Sequence, residues 1–442
     1  MRRHTVLSAC AVAAVAAIVL SGCGGENSQQ SEAFDPNAKT EITMAGWSLS
    51  SSKEFKLLAE GFMKSHPNVT VKFKEYSASD YDTQLLTDLS SGTQPDVFPL
   101  KNLKNYYTYA KESDGLANLS DVAKTYDGDK NIDLSPYELD GKYYGLPYRQ
   151  DVWVLFYNKD MFNKAGVSVP TDKWTWDDFV KTAQELKAKL PAAGYDANQV
   201  YPTYLHSWQS VVQGVATAQG GSDALNKFAT GDFGYMNPFY ETAMKVQNEG
   251  LALNYNIVTS NKTQYGAQFT SELAAMMPMG SWEAASVIDD AKTGVGHKFE
   301  WGMAPLPQAE GHDFSKDAET FGDPTGLAVS SKLSGQQLAA AKEFVKWASG
   351  PDCSMLLAQT LGTAPAYRSE DVIDAFFSVD GMPKDEVSRN SLLKSAVKPE
   401  NPVSEHTGEI QSTLSVMHSA IMTGTKPLDQ AIADAQATVS GL

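Results

Sequence analysis

Between residues 41 and 100 the apolar pattern switches repeatedly between a two-residue and a 3.6-residue period. That alternation restricts the fold more than any other feature of the chain. Glu41 to Trp47 reads EITMAGW and puts Ile42 and Met44 on one face of a strand. Phe55, Leu58, Ala59 and Phe62 then recur at helical spacing, with Ser51 or Ser52 placed to cap the helix. His66-Pro67-Asn68 stops that helix, and Val69, Val71 and Phe73 alternate as a second strand. Tyr81, Leu85 and Leu89 share a helical stripe that Gly92-Thr93-Gln94-Pro95 breaks, and 96–100 reads as a short buried strand. Strands joined through helices give a mainly parallel sheet with helices on both faces, an α/β fold.

The pattern continues. Residues 141–162 predict a short strand at Leu146-Pro147 and a longer one from Val152 to Tyr157. Thr175-Trp176-Asp177-Asp178 is a capping box ahead of the stripe Phe179, Ala183, Leu186. The apolar run ELAAMMPMGSW (272–282) and the strand GLAVSS (326–331) follow. Leu338, Ala341, Phe344, Val345 and Ala348 then mark a helix. There are no internal repeats.

The N-terminus bears on location. Met1-Arg2-Arg3-His4 is basic, 5–20 is small and apolar, and Leu20-Ser21-Gly22-Cys23 follows. This predicts a signal peptide over 1–22, too short for a comfortable membrane span. The small-small-Cys ending resembles a bacterial lipobox, which implies cleavage before Cys23 and its lipidation; an ordinary secretory signal with an incidental Cys is the alternative. Residues 23–40 are then the lipidated Cys and a polar tether of at most roughly 60 Å. Cys10 leaves with the signal, so only Cys353 remains and the exported domain has no internal disulfide.

Loss of Arg2 and Arg3 takes the formal charge from −17 to −19, which argues against nucleic acid or anionic lipid as a partner. Only Arg149, Arg368 and Arg389 remain. Arg favours bidentate recognition of phosphate and carboxylate, so a neutral or cationic ligand is the better expectation.

Six motifs then matter together: Pro95-Asp96-Val97-Phe98, Tyr144-Gly145-Leu146-Pro147, Tyr157-Asn158-Lys159-Asp160, Trp174-Thr175-Trp176-Asp177-Asp178-Phe179, Met279-Gly280-Ser281-Trp282 and Gly362-Thr363-Ala364-Pro365. In this order, behind a lipobox, they resemble the family-1 extracellular solute-binding proteins of ABC importers, the group that includes maltose-binding protein. The resemblance implies a periplasmic-binding-protein-like fold of two α/β lobes joined by three hinge crossings. It places the crossings near 148–152, 281–284 and 322–326. Lobe one is then 41–149 plus 284–322, and lobe two 150–283 plus 323–442. It also implies a monomer on the outer face of the cytoplasmic membrane that hands a sugar to membrane permease subunits without a cofactor.

A sugar site needs flat apolar platforms and hydrogen-bonding groups. Trp174, Trp176 and Trp347 lie on helical patterns and Trp153 inside a strand, so these read as packing; Trp301 is ambiguous. Trp47 ends the first strand, where ligands of open α/β sheets bind. Trp282 follows a buried run and Trp208 sits in the polar HSWQ. Each is a candidate platform, with a half-buried core Trp as the alternative. Lys101 and Asn102 follow the third strand. Tyr148, Arg149, Gln150 and Asp151 form the first crossing, where Asp151 matches a sugar-binding carboxylate of related binders or else pairs with Arg149. Asp323 lies at the third crossing, and Asp96 reads as a brace.

Asp127, Asp129, Asn131, Asp133, Ser135 and Glu138 take the spacing of a calcium loop, but Ile132 stands where that loop needs Gly, so an acidic surface loop is the stronger reading and no metal is expected. No HExxH, GxSxG, zinc-type Cys pair or P-loop is present. A secreted carbohydrate-active enzyme is the distant alternative. The nearer one is the same scaffold binding a polyamine or a glycerophosphodiester.

Overall fold

The computed structural model describes residues 33–49, 53–78, 80–361 and 364–442. The signal, Cys23, Ser51 and Ser52 therefore lie outside the described residues. The expected tether ends early. Phe34 meets the His66 ring edge-on at 5.7 Å, and Asp35 N donates to Gln336 Oε1 at 3.0 Å. Residues 33–40 are thus docked on the first lobe rather than free.

The chain runs β1 (Thr40–Trp47), helix Glu54–Ser65, β2 (Val69–Tyr76), helix Tyr81–Ser91 and β3 (Val97–Leu100). The 54–65 helix buries Phe55, Leu58, Ala59 and Phe62, the stripe read from the sequence. β1 pairs in parallel with both β2 and β3, and Asp96 Oδ2 braces the pair by accepting Thr43 N at 2.7 Å. A small hairpin, β4 (Glu138–Leu139) and β5 (Lys142–Tyr143), precedes β6 (Leu146–Gln150).

The next strands are β7 (Trp153–Asn158), β8 (Tyr201–Thr203), β9 (Ala274–Gly280), β10 (Trp301–Pro305), β11 (Ala318–Phe321), β12 (Pro324–Val329) and β13 (Ser395–Lys398). They build two main sheets, ordered β2-β1-β3-β12-β6 and β10-β7-β9-β8. Each carries its own core. Ile42, Phe62, Leu327 and Phe344 lie in the first; Phe156, Met277, Met303 and Phe376 lie in the second. The capping box holds as read: Thr175 and Asp178 bond each other's backbone at the start of Trp176–Lys189.

The molecule is therefore two-lobed, but strand pairing corrects the expected division. β10 pairs antiparallel with β7, so 284–322 does not belong to lobe one. β12 lies between β3 and β6, so 324–329 belongs to lobe one, not lobe two. The helix Pro351–Leu361 still buries Cys353 and Leu357 in the first core, whereas Glu370–Ser378 buries Val372 and Ile373 in the second.

The crossings follow from this pairing. The first is 151–152, between β6 and β7, and the second is 322–323, between β11 and β12. The third lies between the 351–361 and 370–378 helices, where Pro365 bridges to Arg149 and Ala366 N donates to Tyr148 O at 3.2 Å. Nothing crosses at 281–284. There Ser281 N donates to Val152 O at 2.8 Å, and Val152 N donates to Ser281 Oγ at 3.2 Å. That exchange ties the end of β9 to the first crossing from the side, while the following helix, Glu283–Thr293, packs its Ala284, Val287 and Ile288 into the second core.

The crossings touch one another. A Cβ on Gly322 would stand 1.9 Å from Asp151 O, and Gln150 Nε2 donates to Gly322 O at 2.8 Å and to Asp151 O at 3.1 Å. Gly322→Ala must push two backbones apart and is expected to lower stability by about 2 kcal/mol or more in urea unfolding. Gly408, on an open helix face with nothing within 4 Å of its added Cβ, is the control, and Gly408→Ala should be neutral or slightly stabilising. Equal stability of the two variants would refute the close approach.

Candidate ligand-binding cleft

The first crossing carries a buried ion cluster. Arg149 Nη1 donates to both Glu54 carboxylate oxygens at 3.0 Å, Nη2 donates to Thr325 Oγ1 at 3.0 Å, and Nε lies 3.3 Å from Asp151 Oδ2. Tyr148 is fully buried and donates its hydroxyl to Glu54 Oε1 at 2.9 Å. Tyr148, Arg149 and Gln150 were expected to face ligand; the structure turns all three to holding the crossings together. Asp151 makes the ion pair that was its alternative reading and keeps one oxygen over. Oδ2 pairs with Arg149, while Oδ1 is buried without a partner. Burial pushes its carboxyl above the ordinary range against the pull of Arg149.

Asp323 is likewise a brace. Its Oδ1 accepts Glu400 N at 2.8 Å, and its Oδ2 accepts Asn401 Nδ2 at 3.0 Å and, from lobe one, Leu103 N at 3.3 Å. Lys101 and Asn102 stand just before that last contact. Lys101 Nζ lies 5.3 Å from the Trp47 ring centroid and donates to Ala78 O at 2.9 Å, and Asn102 Oδ1 is buried without a partner. Trp47 is half-buried at the end of β1, edge-on to Phe55 and Tyr81 within its own lobe.

The second lobe answers with a wall of rings. Trp282 is half-buried and Trp208 is 41% exposed. Their centroids lie 6.4 Å apart, and Tyr265 lies 5.4 Å and His206 4.5 Å from Trp208. Burial raises the Tyr265 phenol above its ordinary range, and the neighbouring Trp282 indole opposes that shift. Behind Trp282 stands Trp153, 5.9 Å away and perpendicular, itself stacked on Phe321 as core. The Gly-x-Trp motif has a steric reason: a Cβ on Gly280 would meet the Trp282 ring at 2.0 Å, so only glycine lets the indole fold over the strand end. Tyr265 and His206 escaped the sequence reading, since a lone Tyr opening the six-residue helix Tyr265–Thr270 carries no signal. Burial lowers His206 to about 4, so its imidazole is neutral at pH 7 and offers a ring, not a charge.

The calcium-type spacing does not gather its carboxylates. Asp129 Oδ1 accepts Asn131 N and Asp133 Oδ1 accepts Ser135 N, both at 2.9 Å, so each caps its own turn, and Glu138 bonds Tyr143. Asp127 joins no such set: among the described residues no group of three or more His, Cys, Asp or Glu side chains is arranged to hold a metal. No helix among them is long and apolar enough to cross a membrane.

Two α/β lobes thus face each other across tied crossings, and the sequence matches a known family. The profile of the bacterial extracellular solute-binding protein family covers residues 46–352. The chain belongs to that family. A sugar transporter of Rhizobium etli, solved in an open conformation, is 30% identical, with a TM-score of 0.80 over 91% of this chain and 99% of that one. The multiple sugar-binding protein of Streptococcus mutans is 25% identical over 78% of this chain and 79% of its own length. The melibiose/raffinose/stachyose-binding protein of Bacillus subtilis is 24% identical over 82% and 81%. These relatives carry the names of binding and transport proteins.

Beneath the ring wall Glu283 is wholly buried, and burial and Asp290 push its carboxyl up to about 8. The folded protein therefore keeps a proton that the unfolded chain loses above about pH 4.5. This stabilisation is complete below pH 4.5 and is lost as pH rises towards 8. Urea unfolding of wild type should weaken over that window by up to about 1.4 kcal/mol per pH unit relative to Glu283→Gln. Parallel pH profiles would refute a buried neutral Glu283.

Proposed function

We propose that this protein is an extracytoplasmic solute-binding lipoprotein that captures a neutral sugar, an oligosaccharide, between its lobes and delivers it to the membrane permease of an ABC importer. The observation that carries this is the Trp282–Trp208–Tyr265 wall beside the unpartnered Oδ1 of Asp151. Rings of this kind cover the C–H face of a pyranose, and a carboxylate oxygen accepts from its hydroxyl rim. Exposed Trp208 has little packing to lose, which fits a platform better than a core residue. The sugar-named relatives support the same substrate class.

A thermal-shift panel of melibiose, raffinose, stachyose and maltotriose, with spermidine and glycerophosphocholine beside them, tests the ligand class. Stabilisation by a sugar alone is expected; stabilisation by spermidine or glycerophosphocholine alone overturns the proposal. With the sugar that shifts most, Trp208→Ala should weaken binding roughly tenfold while changing stability by no more than about 0.5 kcal/mol. Unaltered affinity in calorimetric titration would remove Trp208 from the site.

Anchoring is proposed through Cys23 on the outer face of the cytoplasmic membrane, supported by the lipobox-like Leu20-Ser21-Gly22-Cys23. Cys23→Ala should move the protein from the membrane fraction to the soluble fraction. Persistent membrane association of that variant would contradict the anchor.

A further inference from the structure

The segment between β13 and the helix Thr407–Met422 holds an acid that the sequence reading passed over. Glu400 lies where both lobes and the second crossing meet. Its backbone N is pinned to Asp323 Oδ1 at 2.8 Å, and the same Asp323 accepts Leu103 N from lobe one. Its side chain is only partly exposed, with Asp323 as the nearby anion and Lys104 of lobe one as the nearby cation. Ser210 opens the helix Ser210–Gln219, two residues after Trp208. Gln209 Nε2 donates to Gln411 Oε1 at 2.6 Å, and Gln411 Nε2 donates to Asn401 Oδ1, which ties the residue after Glu400 to the residue after Trp208. Lys104 also borders a space of about 410 Å³ between the lobes, whose other side carries Glu405, His406 and Glu409.

We propose that Glu400 is a ligand-contacting residue that hydrogen-bonds the captured sugar at the junction of the lobes, with Asp323 as its positioning residue. The inference rests on the sugar reading above and adds to it a specific group and a pH dependence. A ring lying on Trp208 is held next to the start of the Ser210–Gln219 helix, and Glu400 is the carboxyl placed there. Asp323 fixes the backbone of 400–401 and ties it to lobe one, so a ligand that engages Glu400 is held at the hinge itself. Burial and the neighbouring Asp323 carboxylate push Glu400 up to about 8, so at neutral pH it carries a proton and both donates to and accepts from a hydroxyl. Covering it with ligand removes more water and favours the protonated form further. Binding therefore retains a proton, and affinity falls as pH rises above 8.

The test is calorimetric titration of raffinose, or of the panel sugar with the larger thermal shift, into wild type, Glu400→Gln and Glu400→Ala between pH 6.5 and 9.5. At pH 7 Glu400→Ala should bind about tenfold more weakly, and Glu400→Gln, which keeps a donor and an acceptor, more weakly by about threefold. Wild-type affinity should drop above pH 8 by up to about tenfold per unit, and Glu400→Gln should lose that limb. The pH limb decides the matter even if the Ala variant fails to fold. Wild-type affinity and an intact pH limb in Glu400→Gln overturn the proposal while leaving the sugar reading standing. Failure of every panel sugar to bind wild type overturns both.

Discussion

Arg149 brings a permanent positive charge to the place where the chain first leaves one lobe for the other. A guanidinium cannot shed its charge to escape burial, so the fold has to surround it with acceptors. Glu54 supplies two oxygens from the start of a lobe-one helix, Thr325 supplies one from β12, and Asp151 supplies charge from the crossing. Three segments far apart in sequence are thereby held at one point. Removing Arg149 would leave two buried carboxyls, Glu54 and Asp151, without their cation, and losing the partner of a buried charge costs several kcal/mol in comparable pairs. Asp151 is the member that also looks outward: the pairing with Arg149 orients its carboxyl and leaves Oδ1 free of the protein's own hydrogen bonds.

The second crossing solves the complementary problem. Asp323 has no cation against it and is held instead by N–H donors from Leu103, Glu400 and Asn401. Together with the third, these crossings join lobes that otherwise keep separate cores, Ile42 and Phe62 in one and Phe156 and Met277 in the other. Rigid bodies with independent cores and few shared strands are suited to hinge bending, because the backbone change concentrates in a handful of residues. Gly322 packed against Asp151 O keeps that hinge narrow.

Local periodicity made the first hundred residues legible: the strands and helices there bury the residues that the two periods single out. Partnership between distant strands was not legible. Met279-Gly280-Ser281-Trp282 reads the same whether the chain crosses or turns back, and only the pairing of β10 with β7 shows that it turns back. The same limit applies to the site. Trp282, Trp208 and Asp151 stood out because their types and contexts are unusual. Tyr148 and Asp323 stood out equally, yet long-range partners made them structural. Glu54 looked like an ordinary acid in a first helical turn, and Tyr265 like any surface tyrosine, because the arginine and the indole that give them roles lie 95 and 17 positions away.

The chemistry of the cleft follows from how burial treats its acids. The chain as a whole is strongly acidic, with a formal charge of −17, yet the carboxyls nearest the ring wall and the crossings are pushed towards their neutral forms: Asp151, Asp323, Glu283 and Glu400 are all raised by desolvation. An anionic ligand would meet these groups with Arg149 already committed to Glu54 and Asp151. In the function proposed above, a hydroxylated neutral ligand would meet something more useful, an acceptor in Asp151 Oδ1 and a proton donor in Glu400, set against rings that would cover its C–H faces. Closure of the lobes on such a ligand would remove water from all of them at once. That strengthens each hydrogen bond and makes each unmatched polar group costly. Discrimination then depends on how completely the ligand's hydroxyls satisfy the groups at the junction, a demand that only the closed clamp imposes.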